Sequence, residues 1–177
     1  MNPPPESPSM RARRSVPYPT LAAICRSPAQ FLAFGLGSGL IRPASGTWGT
    51  LLAWLLWQLG APLMPDAALG LFLALAFLIG CWACDVAGKA VGHADHVGMV
   101  WDEMVAFWLV LWLVPDSWLS QVLAFVLFRF FDIVKPPPIR FFDARLKGGF
   151  GVMFDDILAA GYALLVMALA VRFGVLE

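Results

Sequence analysis

Charged side chains are scarce in this chain. Only 14% of its 177 residues are Asp, Glu, Lys or Arg and 60% are hydrophobic, whereas ordinary soluble domains carry about 25% charged residues. This shortage argues against a soluble protein and predicts an integral membrane protein. The formal net charge of zero argues against a nucleic-acid-binding protein, because such proteins carry a clustered excess of basic residues.

Cysteine is also rare, and the three cysteines, Cys25, Cys81 and Cys84, cannot all form disulfides with one another. Cys81 and Cys84 make a CxxC motif inside a strongly apolar run that offers no polar partners. We therefore interpret them as packing residues rather than as a redox or metal site. The sequence also lacks a Cys-x5-Arg cradle and a Ser–His arrangement that would supply a nucleophile.

The first 28 residues differ in composition from the rest. They contain seven prolines, which disfavour regular structure, and a basic cluster at Arg11, Arg13 and Arg14. This composition predicts a mobile cytoplasmic tail over residues 1–28 that lies on an anionic membrane leaflet. Residues 29–177 are expected to form one membrane-embedded domain.

Five apolar stretches follow the tail, at residues 48–59, 67–84, 104–114, 118–131 and 157–171. A full membrane span takes about 20 residues. The second and fifth stretches are the longest of the five and come nearest to that length. The third and fourth are separated only by Pro115-Asp116-Ser117, which predicts a helical hairpin that either crosses the membrane or is re-entrant. The expected fold is therefore an all-α polytopic membrane protein with two helical hairpins and a C-terminal transmembrane helix.

The basic residues fix the expected orientation of these helices. Each hairpin returns the chain to its starting face, so the tail and the connections at residues 85–103 and 132–156 share one side of the membrane. Eleven of the twelve Lys and Arg residues fall on that side, and only Arg172 falls on the other. The positive-inside rule then makes this face cytoplasmic and predicts a multi-pass membrane protein.

Two pairs of adjacent acids directly precede apolar segments. They are Asp102-Glu103 before residues 104–114 and Asp155-Asp156 before residues 157–171. Ionised groups near membrane depth are costly and tend to be functional. Because Mg²⁺ prefers oxygen ligands, these four acids are candidate metal ligands. The alternative is that each pair only favours a helix N-terminus.

Two further segments and three further acids are candidates for the chemistry. The glycine-rich segment 35–50 and the basic segment 128–147 could hold a phosphate, and Thr47 could instead cap a helix that begins at Trp48. The alternative for the basic segment is positive-inside anchoring. His96 is expected to make a loop hydrogen bond, since hard cations prefer oxygen. The phosphate-binding candidates are Gly46, Thr47, Arg129, Lys135 and Arg140, and the catalytic candidates are Asp85, Asp95 and Asp143.

The order of these segments resembles the phosphatidylglycerophosphatase A family. The matching motifs are GSGL…SGTWG, DVAG, HADH…VWDE, FRFFDIVKPPPIRFFD and GGFGVMFDDILAAG, which together run from residue 34 to residue 161. The resemblance implies a Mg²⁺-dependent phosphatase that hydrolyses phosphatidylglycerophosphate to phosphatidylglycerol and inorganic phosphate. Its implied partners are the phospholipid substrate and the membrane, and the sequence is compatible with an oligomer.

Two alternative functions remain open at this point. A phosphatidyltransferase that uses a cytidine-diphosphate lipid is loosely suggested by Asp143-Ala144-Arg145 and Asp155-Asp156, but the Asp-Gly that should precede Ala-Arg is absent, and the final acids are adjacent rather than four residues apart. A magnesium channel or transporter would need polar groups through the bilayer, whereas the apolar runs are nearly uncharged.

Overall fold

The computed structural model describes residues 17–174 and residue 176, and this part of the chain is all-α and contains no strand. Residues 1–16 of the predicted tail lie outside it. The helices are α1 (Leu21–Ile24), α2 (Pro28–Ala33), α3 (Ser45–Gly60), α4 (Asp66–Val91), α5 (Trp101–Leu113), α6 (Trp118–Val134), α7 (Ile139–Arg145) and α8 (Gly148–Arg172), with short 3₁₀ segments at Gly35–Leu40 and Ala61–Leu63. Each predicted apolar stretch lies within a helix, except that Val114 is the C-cap of α5.

The C-terminal helix α8 is the central element, because it packs against α4, α5, α6 and α7. Small residues on its inner face make this possible, and Ala159, Ala160 and Ala163 are fully buried. The closest approach is at Gly149, where an added Cβ would lie 1.8 Å from the carbonyl oxygen of Cys81 on α4. Only glycine allows the two backbones to meet at this distance.

Large apolar side chains cover the outside of the bundle, whereas polar side chains lie within it. Leu55, Leu78 and Leu165 are more than half exposed, while Thr50 and Ser120 are fully buried. This distribution suits a surrounding of lipid rather than water. Helices α4 and α8 are each long and apolar enough to cross a membrane, and the protein is membrane-associated.

The two predicted hairpins are built differently. Helices α5 and α6 follow one another across the predicted turn, and Ser117 caps α6 by accepting a hydrogen bond from the Ser120 N–H. Helix α3 instead packs along α5 rather than along α4, and the indole Nε1 of Trp108 donates to Ala53 O at 2.8 Å. The sequence predicts that α3 pairs with α4, but in the structure α5 is the packing partner of α3.

Residues 17–28 differ from the expected tail because they pack onto the domain. Ile24 of α1 is fully buried, and the Tyr18 ring meets the His96 ring edge-on with 4.8 Å between centroids. The Arg42 guanidinium lies 3.6 Å from the centre of the Tyr18 ring. His96 makes the predicted loop hydrogen bond, since its Nδ1 accepts from the Gly98 N–H at 3.0 Å. Residues 17–28 are therefore held against the helices.

We expect Gly149→Ala to destabilise the bundle, because the new Cβ forces α8 away from the Cys81 carbonyl. Gly161→Ala on the same helix is the matched control, since nothing lies within 4 Å of its Cβ position. That control should be neutral or gain up to about 1 kcal/mol from the better helix former. Thermal unfolding of the detergent-solubilised variants measures both effects. Equal unfolding temperatures for the two variants would contradict the close packing of α4 and α8.

Candidate active site

The predicted acids meet where three helices converge. Asp102 and Glu103 lie in the first turn of α5, as predicted. Asp155 and Asp156 lie about two turns inside α8, because α8 begins at Gly148 and not just before the acids. The expectation that this second pair stands at a helix start, and the alternative that it caps one, are therefore wrong. The Gly148-Gly149-Phe150-Gly151 stretch before these acids is the first turn of α8, and Gly149 packs against α4.

Asp102 and Asp156 are both deeply buried, with 7% and 3% of their surface exposed. Asp102 Oδ1 and Asp156 Oδ2 are buried without a hydrogen-bond partner. The charge of Asp156 interacts with those of Asp102, Asp132, Asp155 and Glu103. Buried carboxylates need a counter-charge, so this arrangement favours a bound cation.

Lys135 is the first of two basic residues in the cluster. Helix α6 ends just before the proline run 136–138, since proline cannot continue a helix, and Lys135 is its left-handed C-cap. Its Nζ contacts Asp155 Oδ2 and lies 3.5 Å from Asp143 Oδ1. Burial lowers the pKa of Lys135, but the charges of Asp155 and Asp156 outweigh burial and raise it. The ammonium group therefore stays protonated at any physiological pH.

Arg129 is the second basic residue of the cluster. Its Nη1 lies 2.8 Å from Glu103 Oε2 and 2.8 Å from Asp132 Oδ2, and all three side chains are at most 15% exposed. The predicted phosphate ligand is thus engaged by two carboxylates. Asp132 follows Arg129 by three residues on α6, and that i, i+3 spacing is the signal in the sequence of its place in the cluster.

The first glycine-rich segment reaches the site through Gly46. Helix α3 begins at Ser45 with Ala44 as N-cap and no side-chain cap, so the expectation that Thr47 caps a helix starting at Trp48 is wrong. A Cβ on Gly46 would lie 2.1 Å from Glu103 Oε1. Gly46 therefore lies directly against the carboxylate of Glu103.

The remaining candidates lie around the cluster. Asp85 pairs with Lys89 at 2.5 Å, and their side chains are 40% and 77% exposed. Asp95 and Asp143 line a cleft of about 230 Å³, and the charges of both interact with Asp155. The cleft therefore borders the buried acids.

Arg140 does not join the buried charges. Its side chain is exposed, and Nη2 donates to Val134 O at 3.3 Å.

A metal would need water to complete its coordination here. Among residues 17–174 and 176, no three His, Cys, Asp or Glu side chains are grouped so as to hold an ion by themselves. Mg²⁺ usually keeps several waters and is held by one or two carboxylates. The two unpartnered oxygens of Asp102 and Asp156 fit that requirement.

An all-α, membrane-associated fold that buries several acids beside two basic residues defines a helical membrane protein with a charged internal site. The family model for phosphatidylglycerophosphatase A matches residues 31–171, and the chain belongs to this family. It is an enzyme, a phosphatase of phospholipid metabolism.

Relatives at high identity agree with this assignment. A phosphatidylglycerophosphatase A from Haemophilus influenzae is 48% identical over 80% of this chain and 87% of its own length. The Escherichia coli protein of the same name is 40% identical over 75% and 77%. A Bacteroides thetaiotaomicron protein provisionally named a phosphatidylinositol-3-phosphatase is 41% identical over 77% and 89%. No solved structure matches the chain.

We expect Lys135→Gln to lower the free energy of unfolding by about 3 kcal/mol, because it leaves the buried Asp155 carboxylate without its cation. Adding Asp155→Asn should restore part of that loss. Lys89→Gln is the matched control, since the exposed Lys89–Asp85 pair contributes little. Chemical unfolding of the purified proteins measures all three. A Lys135→Gln protein as stable as Lys89→Gln would show that the buried pair is not formed.

Proposed function

We propose that the protein hydrolyses phosphatidylglycerophosphate to phosphatidylglycerol and inorganic phosphate. Membership of the phosphatidylglycerophosphatase A family and the names of two relatives support this substrate. The observation that carries the chemistry is the buried cluster, in which five carboxylates face only the two cations Arg129 and Lys135. The five carboxylates are those of Asp102, Glu103, Asp132, Asp155 and Asp156. That excess of negative charge suits a site that takes up a metal ion together with a phosphate.

Asp102 and Asp156 would hold Mg²⁺ through their unpartnered carboxylate oxygens. Bound Mg²⁺ supplies positive charge to the phosphate oxygens and lowers the pKa of a coordinated water. The metal ligands predicted from the sequence also included Glu103 and Asp155. Both are engaged by a cation instead, Glu103 by Arg129 and Asp155 by Lys135.

Lys135 supplies a permanent positive charge beside these acids. Phosphoryl transfer needs neutralising charge on the nonbridging oxygens and an oriented nucleophile, and Lys135 would serve the oxygens by turning partly from Asp155. Water then forms the new bond to phosphorus while the bond to the glycerol oxygen breaks, and the departing oxygen takes a proton. Asp95 and Asp143 line the adjacent cleft and are the candidates for holding that water or proton.

The site would work on the cytoplasmic face of the bacterial inner membrane, in a multi-pass protein. The distribution of basic residues supports this face, because Lys89, Lys135 and Lys147 all lie at the end of the bundle that carries the cluster, whereas Arg172 lies at the far end of α8. The two apolar helices α4 and α8 support spanning. Oligomeric assembly stays a prediction.

The decisive assay uses the purified protein in mixed micelles with phosphatidylglycerophosphate and Mg²⁺. Release of inorganic phosphate above a heat-denatured control is expected. Release of a cytidine nucleotide from a cytidine-diphosphate lipid would favour the phosphatidyltransferase instead, and Mg²⁺ flux in sealed vesicles would favour the transporter. A parallel arm with phosphatidylinositol 3-phosphate tests the substrate that the Bacteroides relative's name suggests.

We expect Asp102→Asn and Asp156→Asn each to lose most turnover and to require more Mg²⁺ for half-maximal activity, because each removes a charged oxygen ligand while keeping the side-chain size. Asp66→Asn is the control, since Asp66 lies at the other end of α4 and accepts a hydrogen bond from Trp112 Nε1 at 2.8 Å that an amide oxygen can also accept. Steady-state phosphate release over a Mg²⁺ titration gives both quantities. Near-normal activity of both site variants at limiting Mg²⁺ would remove them as ligands.

The orientation is tested by cysteine labelling of intact cells. In a Cys25→Ser background, Asp116→Cys should react with a membrane-impermeant maleimide from outside. Lys89→Cys should react only after the membrane is permeabilised, because its exposed side chain lies on the proposed cytoplasmic side. Labelling of both positions in intact cells would contradict the proposed topology.

A further inference from the structure

Neighbouring acids at the start of α5 are held in different ways. The charge of Asp102 interacts with those of Glu103, Asp155 and Asp95, and its Oδ1 is unpartnered. Glu103 Oε2 likewise accepts no aligned hydrogen bond, but it forms an ion pair with Arg129 Nη1 at 2.8 Å. Successive residues on a helix point about 100° apart, so one of the pair can face the reaction site while the other faces a neighbouring helix.

Glu103 is enclosed from two directions. On one side the Arg129 guanidinium of α6 lies 2.8 Å from Oε2. On the other side, the first turn of α3 comes so near that a Gly46 Cβ would overlap both carboxylate oxygens, at 2.1 and 2.3 Å. That turn has no side-chain cap of its own, and the N-terminal end of a helix attracts a negative charge. Glu103 therefore links α3 and α6 to the start of α5.

Asp132 completes this arrangement from the same helix as Arg129. Its Oδ2 lies 2.8 Å from Arg129 Nη1, and both side chains are almost fully buried, with 10% and 12% exposed. Both ion pairs meet at Arg129 Nη1, so the two carboxylates restrain that end of the guanidinium between α5 and α6. Asp132 thus fixes Arg129, and Arg129 fixes Glu103.

We propose that Glu103, Arg129 and Asp132 form a positioning clamp, seated on Gly46, that sets the direction of Asp102 in the reaction site. In this role none of the three touches substrate or metal. The inference rests on the proposed function for what Asp102 does, but the clamp itself is a property of the folded protein. It assigns a structural task to Arg129 in place of phosphate binding, and to Glu103 in place of metal binding.

The first test measures the clamp without any activity. Glu103→Gln, Arg129→Gln and the double variant are compared by thermal unfolding in detergent, with neither substrate nor Mg²⁺ present. The clamp predicts that each single variant lowers the unfolding temperature and that the double variant loses less than the sum of the two, since either change breaks the same contact. Additive losses would show that the two residues act separately and would overturn the clamp, whatever the substrate.

The second test separates positioning from ligand roles in the phosphatase assay. Because the residues act through Asp102, Glu103→Gln and Arg129→Gln should lower kcat by about 10- to 100-fold, as is usual for groups that orient a ligand. KM should change little, and the Mg²⁺ concentration for half-maximal activity should rise less than it does in Asp102→Asn, because the Asp102 carboxylate itself is retained. A rise in the Mg²⁺ requirement of Glu103→Gln equal to that of Asp102→Asn would make Glu103 a ligand. A raised KM with unchanged kcat in Arg129→Gln would return Arg129 to the phosphate.

A glycine pair provides the matched control. Gly46→Ala must displace the Glu103 carboxylate and should lower kcat in the same way, whereas Gly60→Ala at the other end of α3 has nothing within 4 Å of its Cβ position and should retain activity. If Gly46→Ala fails to fold, the isosteric Glu103→Gln still decides the question. Full activity in Gly46→Ala would overturn the seating of Glu103 on α3. Absence of phosphate release by the unmodified protein would defeat the proposed function but leave the unfolding result intact.

Discussion

Excess negative charge inside an apolar bundle is the constraint on which the rest of this structure depends. Asp102 and Asp156 are buried with unpartnered carboxylate oxygens, and an isolated buried carboxylate is far more costly than a paired one. The bundle offsets part of this cost by turning Arg129 and Lys135 inward. A hydrated divalent cation would neutralise the negative charge that remains. Binding of the metal would therefore also stabilise the site.

Close backbone approach is what brings those charges together. Helix α8 carries Asp155 and Asp156, and its small inner residues let it contact three other long helices. A larger residue at Gly149 would push α8 away from α4 and would move both acids with it. The glycines at the start of α8 therefore contribute to the chemistry by packing, although their composition suggests a flexible loop.

Much of the fold could be predicted because apolar runs and prolines act locally. The run 118–131 and the prolines after Lys135 predict α6 and its end, and both were found. The four acids of the two pairs could likewise be predicted to share a site, because their connecting segments lie on the same predicted side of the membrane. The ion pairs could not, because they depend on how α5, α6 and α8 pack. Arg129 therefore has a partner, Glu103, that lies 26 positions away in the sequence.

The depth of the acids explains why the enzyme needs a cleft beside its bundle. Asp156 lies eight residues after the first residue of α8, which corresponds to roughly 12 Å along the helix axis. A phosphate on a lipid headgroup must therefore pass below the end of the helix to meet the buried oxygens. The cleft lined by Asp95 and Asp143 borders the cluster, so under the proposed function it would be the direct route for a headgroup. Asp95 and Asp143 outnumber Lys147 in its lining, so a cation that balances part of the phosphate charge would ease the entry of the headgroup.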